Sequence, residues 1–212
     1  PLEERRARAV EMRRILPESV LEEVGKLDPA AIDQVRAEAW PDVRDADELH
    51  DVLHTLIALP LSTGTTDAPS TIPGHALAST AERSCKAWQP LFDPLQTQGR
   101  VLCANLDDRS YWIAVERAQA FQQIFPDAKF DAQVADFGKP QSKDDALLAL
   151  VTGWMSHIGP TSSLELGAML GIEASEIEKA MLRLEATGAI LRGRFTDATS
   201  RAGVPAPPEH EW

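Results

Sequence analysis

Apolar residues between Ser142 and Phe195 fall on three successive helical faces and then change period. Ser142, with Asp145 three residues on, opens the first helix, which carries Leu147, Leu148, Val151, Trp154 and Met155 on one side until Gly159-Pro160 stops it. Ser162 and Glu165 form a capping-box pair for a second helix with Leu164, Leu166 and Met169 as apolar contacts and Gly171 as its C-terminal turn. Ser175 and Glu178 repeat the device, and Ile177, Ala180, Met181 and Leu184 mark the buried face of a third helix ending at Gly188. Ala189 to Phe195 then reads as a strand, followed by loop residues such as Asp197, Gly203, Pro207 and Pro208. Helix, tight helix-turn-helix, strand and long loop together predict a winged helix, with the loop as the wing.

Upstream, the same spacing predicts short helices from Leu2 to Leu16, from Ser19 to Asp28, and from Asp28-Pro29 through Ile32 and Val35 to Trp40. Asp45 caps a helix with Leu49, Val52, Leu53, Leu56 and Ile57 on one face, ended by Pro60. The Ser, Thr, Gly and Pro rich stretch 61–80 has no period, and Pro90 and Pro94 should kink or break any helix over Ala81 to Gln98. RVLCANL and YWIAVE are candidate strands of a hairpin around Asp107 to Ser110, and Arg117 to Phe125 is helical again. Asp127 to Lys143 reads as a polar linker.

The two halves align. Leu95, Gly99, Val101 and Leu102 fall on Leu184, Gly188, Ile190 and Leu191 at an offset of 89 (184 minus 95). Asp45, Leu49, Val52, Leu56 and Leu59 fall on Asp144, Leu148, Val151, Met155 and Ile158 at an offset of 99 (144 minus 45), which puts the net insertion of the first copy in the 61–80 stretch. The expected fold class is therefore mainly α with small β-hairpins (α+β), as tandem winged helices preceded by short helices. The expected organisation is a helical segment over 1–44 continuing from an upstream core, a first winged helix over 45–126 with its irregular insertion at 61–80, a linker over 127–143, and a second winged helix over 144–212 truncated in its wing hairpin. Both ends read as cut.

Composition adds limits. With 43% hydrophobic and 25% charged residues the chain is ordinary for a globular protein, and its formal charge of -12 argues that any nucleic-acid contact is local. Cys85 and Cys103 lack zinc-ligand spacing and a leader, which points to reduced thiols and a cytoplasmic location. No apolar run approaches the roughly 18 residues of a membrane helix, so no membrane partner is expected. HDVLH at His50 to His54 has a zincin outline with Asp in place of Glu and no third ligand, so both histidines are expected at the surface and no metal or catalytic residue is assigned. Arg5, Arg6, Arg8, Arg13 and Arg14 are read as a solvated face or a contact with a neighbouring domain. There is no GxxxxGK[ST] run and no GxSxG elbow, so no cofactor-binding residue is assigned.

Lys179 and Arg183 on the third helix stand among Glu176, Glu178 and Glu185, a poor match to phosphate. Arg192, Arg194 and Arg201 on the strand and wing, with Arg100 and Arg109 in the first copy, are better candidates for backbone contacts to DNA, or equally for solvated strand faces and domain interfaces.

LVTGWMSHIGPTSSLELGAMLGIEASEIEKAMLRLEATGAILRGRFT with EHEW after it, the opening PLEERRARAV, LDPAAIDQVRAEAWPDVRDADELHD, and the pair GRVL and YWIAVER resemble the region following the helicase core in the bacterial large helicase-related (Lhr) family. That resemblance implies an ATP-dependent 3' to 5' DNA repair helicase whose ATP and Mg site lies in motor domains elsewhere. It also implies partners in DNA (single-stranded or tailed duplex), in the upstream core and downstream winged helices of the same chain, and in a homo-oligomer. The family's long C-terminal region is similar to winged-helix DNA glycosylases and is linked to uracil removal. The leading expectation is a non-catalytic accessory module; the alternatives are part of such a glycosylase unit or a free-standing transcription regulator.

Overall fold

Asp28 opens the first described helix by accepting the Ala30 amide, with Pro29 placed where no amide partner is needed. This is α1, Pro29–Ala39, in a computed structural model that describes residues 28–61, 75–134, 142–193, 195 and 210–212. The helices expected before Asp28, with their arginine cluster, lie outside the described residues. Ile32 is the buried contact of α1, whereas Val35 is 52% exposed. Trp40 then stacks on Trp88 and tilts against Trp154, so the segment rests on both halves of the chain.

The expected cap at Asp45 forms, with Glu48 N donating to its carboxylate at 2.9 Å, and opens α2, Ala46–Leu56. Leu49, Leu53, Leu56 and Ile57 are buried. Pro60 does not end this helix; it lies in a strand, β1, Leu59–Leu61, because Ile57 has already turned the chain at φ 65°. Residues 62–74 of the irregular stretch are outside the described residues.

From His75 to Thr97 runs one helix, α3, straight through Pro90 and Pro94. This corrects the expected break. Both prolines are exposed and lie four residues apart on the solvent face, while Ala81, Cys85, Trp88, Phe92 and Leu95 form a continuous buried stripe. Burial of that stripe outweighs the loss of two backbone hydrogen bonds. Phe92 stacks on Trp112 of the sheet with ring centroids 4.1 Å apart.

Strands β2, Val101–Leu106, and β3, Arg109–Ala114, form the expected hairpin with Leu106 opposite Arg109. The turn is only Asp107-Asp108, so Arg109 and Ser110 belong to the strand. A 3-10 turn, Val115–Arg117, leads into α4, Ala118–Ile124, and then β4, Lys129–Phe130, pairs with β2. The sheet has four antiparallel strands in the order β1-β3-β2-β4. The start of the expected linker is therefore structural: Asp131 accepts the Cys103 amide and donates its own amide to the Cys103 carbonyl, both at 3.0 Å. Residues 135–141 are outside the described residues.

Ser142 caps α5, Lys143–Met155, and Ser162 and Glu165 complete the expected capping box of α6, Ser163–Leu170. Leu164, expected to pack, is 48% exposed. The third helix, α7, Ala174–Ala186, has Glu173 and not Ser175 at its N-cap position, and no side chain caps it. The turn through Gly171 at φ 73° brings the chain into helix two residues earlier than the capping pattern suggested. Ile177, Ala180, Met181 and Leu184 are buried as expected.

The offset of 89 survives in backbone detail. Gly99 and Gly188 have φ 69° and 75°; their amides donate to Gln96 and Glu185, and the next amides donate to Leu95 and Leu184. The offset of 99 does not survive, since it sets buried Leu53 on exposed Thr152. An offset of 98 (147 minus 49) sets Leu49, Leu53 and Leu56 on buried Leu147, Val151 and Trp154. Described residues 189–193 and 195 do not form the expected strand. They make one antiparallel bridge, Gly193 to Glu211, and Leu191 is 75% exposed where its counterpart Leu102 is 3% exposed. Even so, this bridge repeats the Ala104 to Tyr111 pairing, and the Thr161 and Trp212 backbones bond each other as Leu59 faces Trp112. In both copies the third extended segment lies between the first two.

Buried side chains from both copies join in one hydrophobic core. α5 approaches α2 so closely that a Cβ on Gly153 would stand 2.0 Å from the Thr55 carbonyl oxygen.

Candidate nucleic-acid interface

Basic side chains meet nucleic acid productively when their charge faces solvent and is not already neutralised. Each described candidate has an intramolecular partner. On α7, Lys179 donates to Asp144 at 2.7 Å, and Arg183 approaches Asp145 at 3.6 Å and the Asp144 carbonyl at 3.4 Å. Lys143 answers from α5 by pairing with Glu176 of α7. Asp144, Glu176, Lys179 and Arg183 border a cleft of about 210 Å³ between the N-terminus of α5 and α7. The Lys179 hydrogen bond, then its charge, holds the exposed Asp144 carboxyl below the usual carboxylate range.

Arg192 lies 3.3 Å from Glu185 and places its guanidinium 5.9 Å from the centre of the Trp212 ring. Trp212 is held by the paired backbone bonds to Thr161, which explains why Arg192 has a fixed platform despite its irregular segment. Arg100 pairs with Asp47 of α2. Arg194 and Arg201 lie outside the described residues.

Arg109 departs most from the expected wing contact. It is half-buried and donates to the carbonyls of Ala168 and Met169 at 3.1 and 3.0 Å, closing the C-terminal end of α6. Tyr111, two residues along the same face of β3, donates to the Leu170 carbonyl at 2.9 Å. A Cβ on Gly171 would meet the Tyr111 hydroxyl at 2.9 Å, so the glycine is required by the neighbour as well as by its left-handed turn. The β2–β3 hairpin thus caps the C-terminal end of α6. The alternation of β3 reveals that Arg109 and Tyr111 share a face, but nothing local points to a partner so distant in sequence.

His50 and His54 are half-buried, which corrects their expected surface placement. His50 Nε2 lies 3.2 Å from Glu116, and Arg117 donates to the His54 carbonyl at 2.8 Å. Burial first, then the Arg117 charge, pushes the His54 imidazole below its usual pKa. Among the described residues no group of three or more His, Cys, Asp or Glu side chains is placed to hold a metal ion. Burial raises the Cys85 thiol to about 12 and the Cys103 thiol to about 11, so both free cysteines are poor nucleophiles. No described helix is long and apolar enough to cross a membrane.

No protein-family model matches the chain, and no curated protein matches it.

Proposed function

We propose that the chain is a non-catalytic accessory module of an ATP-dependent 3' to 5' DNA repair helicase, in which tandem winged helices dock on neighbouring domains and help guide DNA. The observation that carries this reading is the repeated arrangement of three extended segments behind a left-handed glycine turn, seen at Gly99 and again at Gly188. In the first copy, α2, β1, α3 and the β2–β3 hairpin follow winged-helix order with β1 beside β3. In the second, α5, the Thr161 segment, α6 and α7 come in the same order, and the short Gly193 and Glu211 contacts follow.

Arg109 and Tyr111 support a docking role for the first hairpin, because they fasten it to another helix-turn-helix. Arg192 supports a guiding role for the second wing: its side chain is 40% exposed on an aromatic platform. ATP and magnesium would be held by motor domains, and no residue of this chain is assigned to them. A cytoplasmic location goes with the same reading.

Binding of the full chain to a tailed DNA duplex, read by fluorescence anisotropy over a salt series, tests the proposal. Changing Arg192 and Arg194 together to Glu is expected to weaken binding and reduce the log-log salt slope by about 1.4 to 1.8, at about 0.7 to 0.9 per phosphate contact. Unchanged binding and slope would remove the wing from the reading. In a uracil-excision assay the same chain is expected to be inactive.

A further inference from the structure

Lys179 and Arg183 stand four residues apart on α7, so their side chains leave the same face one turn apart. Both meet the first turn of α5, where Asp144 and Asp145 supply carboxylates, while Lys143 of α5 meets Glu176 of α7. Three cations and three carboxylates therefore pair between α5 and α7, and Asp144, Glu176, Lys179 and Arg183 among them line one cleft.

Two features separate this layer from an ordinary structural staple. The α5 and α7 packing is already carried by buried Leu147, Leu150 and Val151 and by Ile177, Met181 and Leu184. All six charged side chains are 36% to 62% exposed, so each remains within reach of an incoming ligand. Exposed ion pairs of this kind contribute about 0 to 1 kcal/mol each. A polyanion that releases counterions on binding competes effectively with such pairs.

We infer that Asp144 and Asp145 form an autoinhibitory contact: they occupy Lys179 and Arg183 as phosphate mimics, and DNA phosphates bind α7 only by displacing them. The inference rests on the DNA-guiding reading above. It explains how a third helix rich in glutamate can hold a phosphate-binding pair in reserve without making a chain of charge -12 indiscriminately adhesive.

The test is anisotropy of the full chain on the tailed duplex at several salt concentrations. Asp144→Asn with Asp145→Asn is expected to tighten binding by about threefold to tenfold, from two exposed pairs, and to steepen the salt slope by up to about 1.8. Asp144→Asn alone leaves the Ser142 and Asp145 cap in place and is expected to keep about half of the logarithmic gain. Adding Lys179→Ala and Arg183→Ala to the double variant should return binding to the wild-type value. Asp33→Asn with Glu38→Gln on α1 changes the net charge equally and should leave binding nearly unchanged.

No gain in the aspartate variants, or an equal gain from the α1 control, overturns the inference. The Arg192 and Arg194 variant separates the two claims: weakened binding there with no gain from the aspartates leaves DNA guidance standing and the contact refuted. Absence of DNA binding in every variant overturns both.

Discussion

The Tyr111 hydroxyl donates to the Leu170 carbonyl at 2.9 Å, fastening β3 to the last residue of α6. Both partners are buried, and burial raises the Tyr111 pKa, so the bond is made by a neutral phenol. Tyr111→Phe strands the carbonyl without its donor and is expected to cost about 1 to 3 kcal/mol. Chemical denaturation should show that loss as a lower midpoint with an unchanged slope. A change in slope with two resolved transitions would instead mean that the copies unfold separately.

Gly153→Ala should be more damaging. Its Cβ would lie 2.0 Å from the Thr55 carbonyl oxygen and 2.9 Å from the carbonyl carbon, both backbone atoms that cannot rotate aside. Separation of α2 from α5 is expected to cost about 1 to 3 kcal/mol or more, visible as a lower Tm by circular dichroism. A Tm equal to wild type would contradict the close approach of the helices.

Gly99 and Gly188 offer a test of the internal repeat. Each has φ near 70° and nothing within 4 Å of an added Cβ, so alanine introduces backbone strain without a clash. Gly99→Ala and Gly188→Ala are each expected to destabilise by about 1 to 2 kcal/mol. Matching losses in urea denaturation support equivalence of the two turns; a large loss at one and none at the other would break it.

Pro90→Ala and Pro94→Ala should stabilise the chain. Each restores a backbone amide donor at an exposed position inside α3. The gain is about 3 kcal/mol at most, less about 0.4 to 1 kcal/mol for the freer unfolded chain. A lower midpoint in either variant would show that the prolines shape α3 in a way that its neighbours require.

His54 sets a pH dependence. Its folded pKa lies below the ordinary value of 6.5, so as pH falls through that value the unfolded chain takes up the proton first. Stability contributed by neutral His54 is therefore present above pH 6.5 and declines below it. His54→Gln should flatten the Tm profile between about pH 7 and 5, the range in which an ordinary histidine titrates. An unaltered profile would place the acid sensitivity elsewhere.

The sequence alone determined most of the turns and caps, with the Ser175 cap and the turn at Ile57 as exceptions. Asp28, Asp45, Ser142 and the Ser162 and Glu165 pair satisfy amides two or three residues away, and Gly99, Gly171 and Gly188 stand where left-handed backbone is required. Such chemistry is complete within a few residues, so spacing exposes it. Tertiary structure decided the rest. Propensity breaks α3 at Pro90, yet the Trp88, Phe92 and Leu95 stripe against the sheet holds it whole. Arg109 reads locally as a wing arginine, yet the open carbonyls of α6 claim it, and Lys179 reads as a candidate phosphate contact until α5 brings Asp144 to it. A side chain's type and spacing show which partners it can accept; only the packed chain determines which partner reaches it.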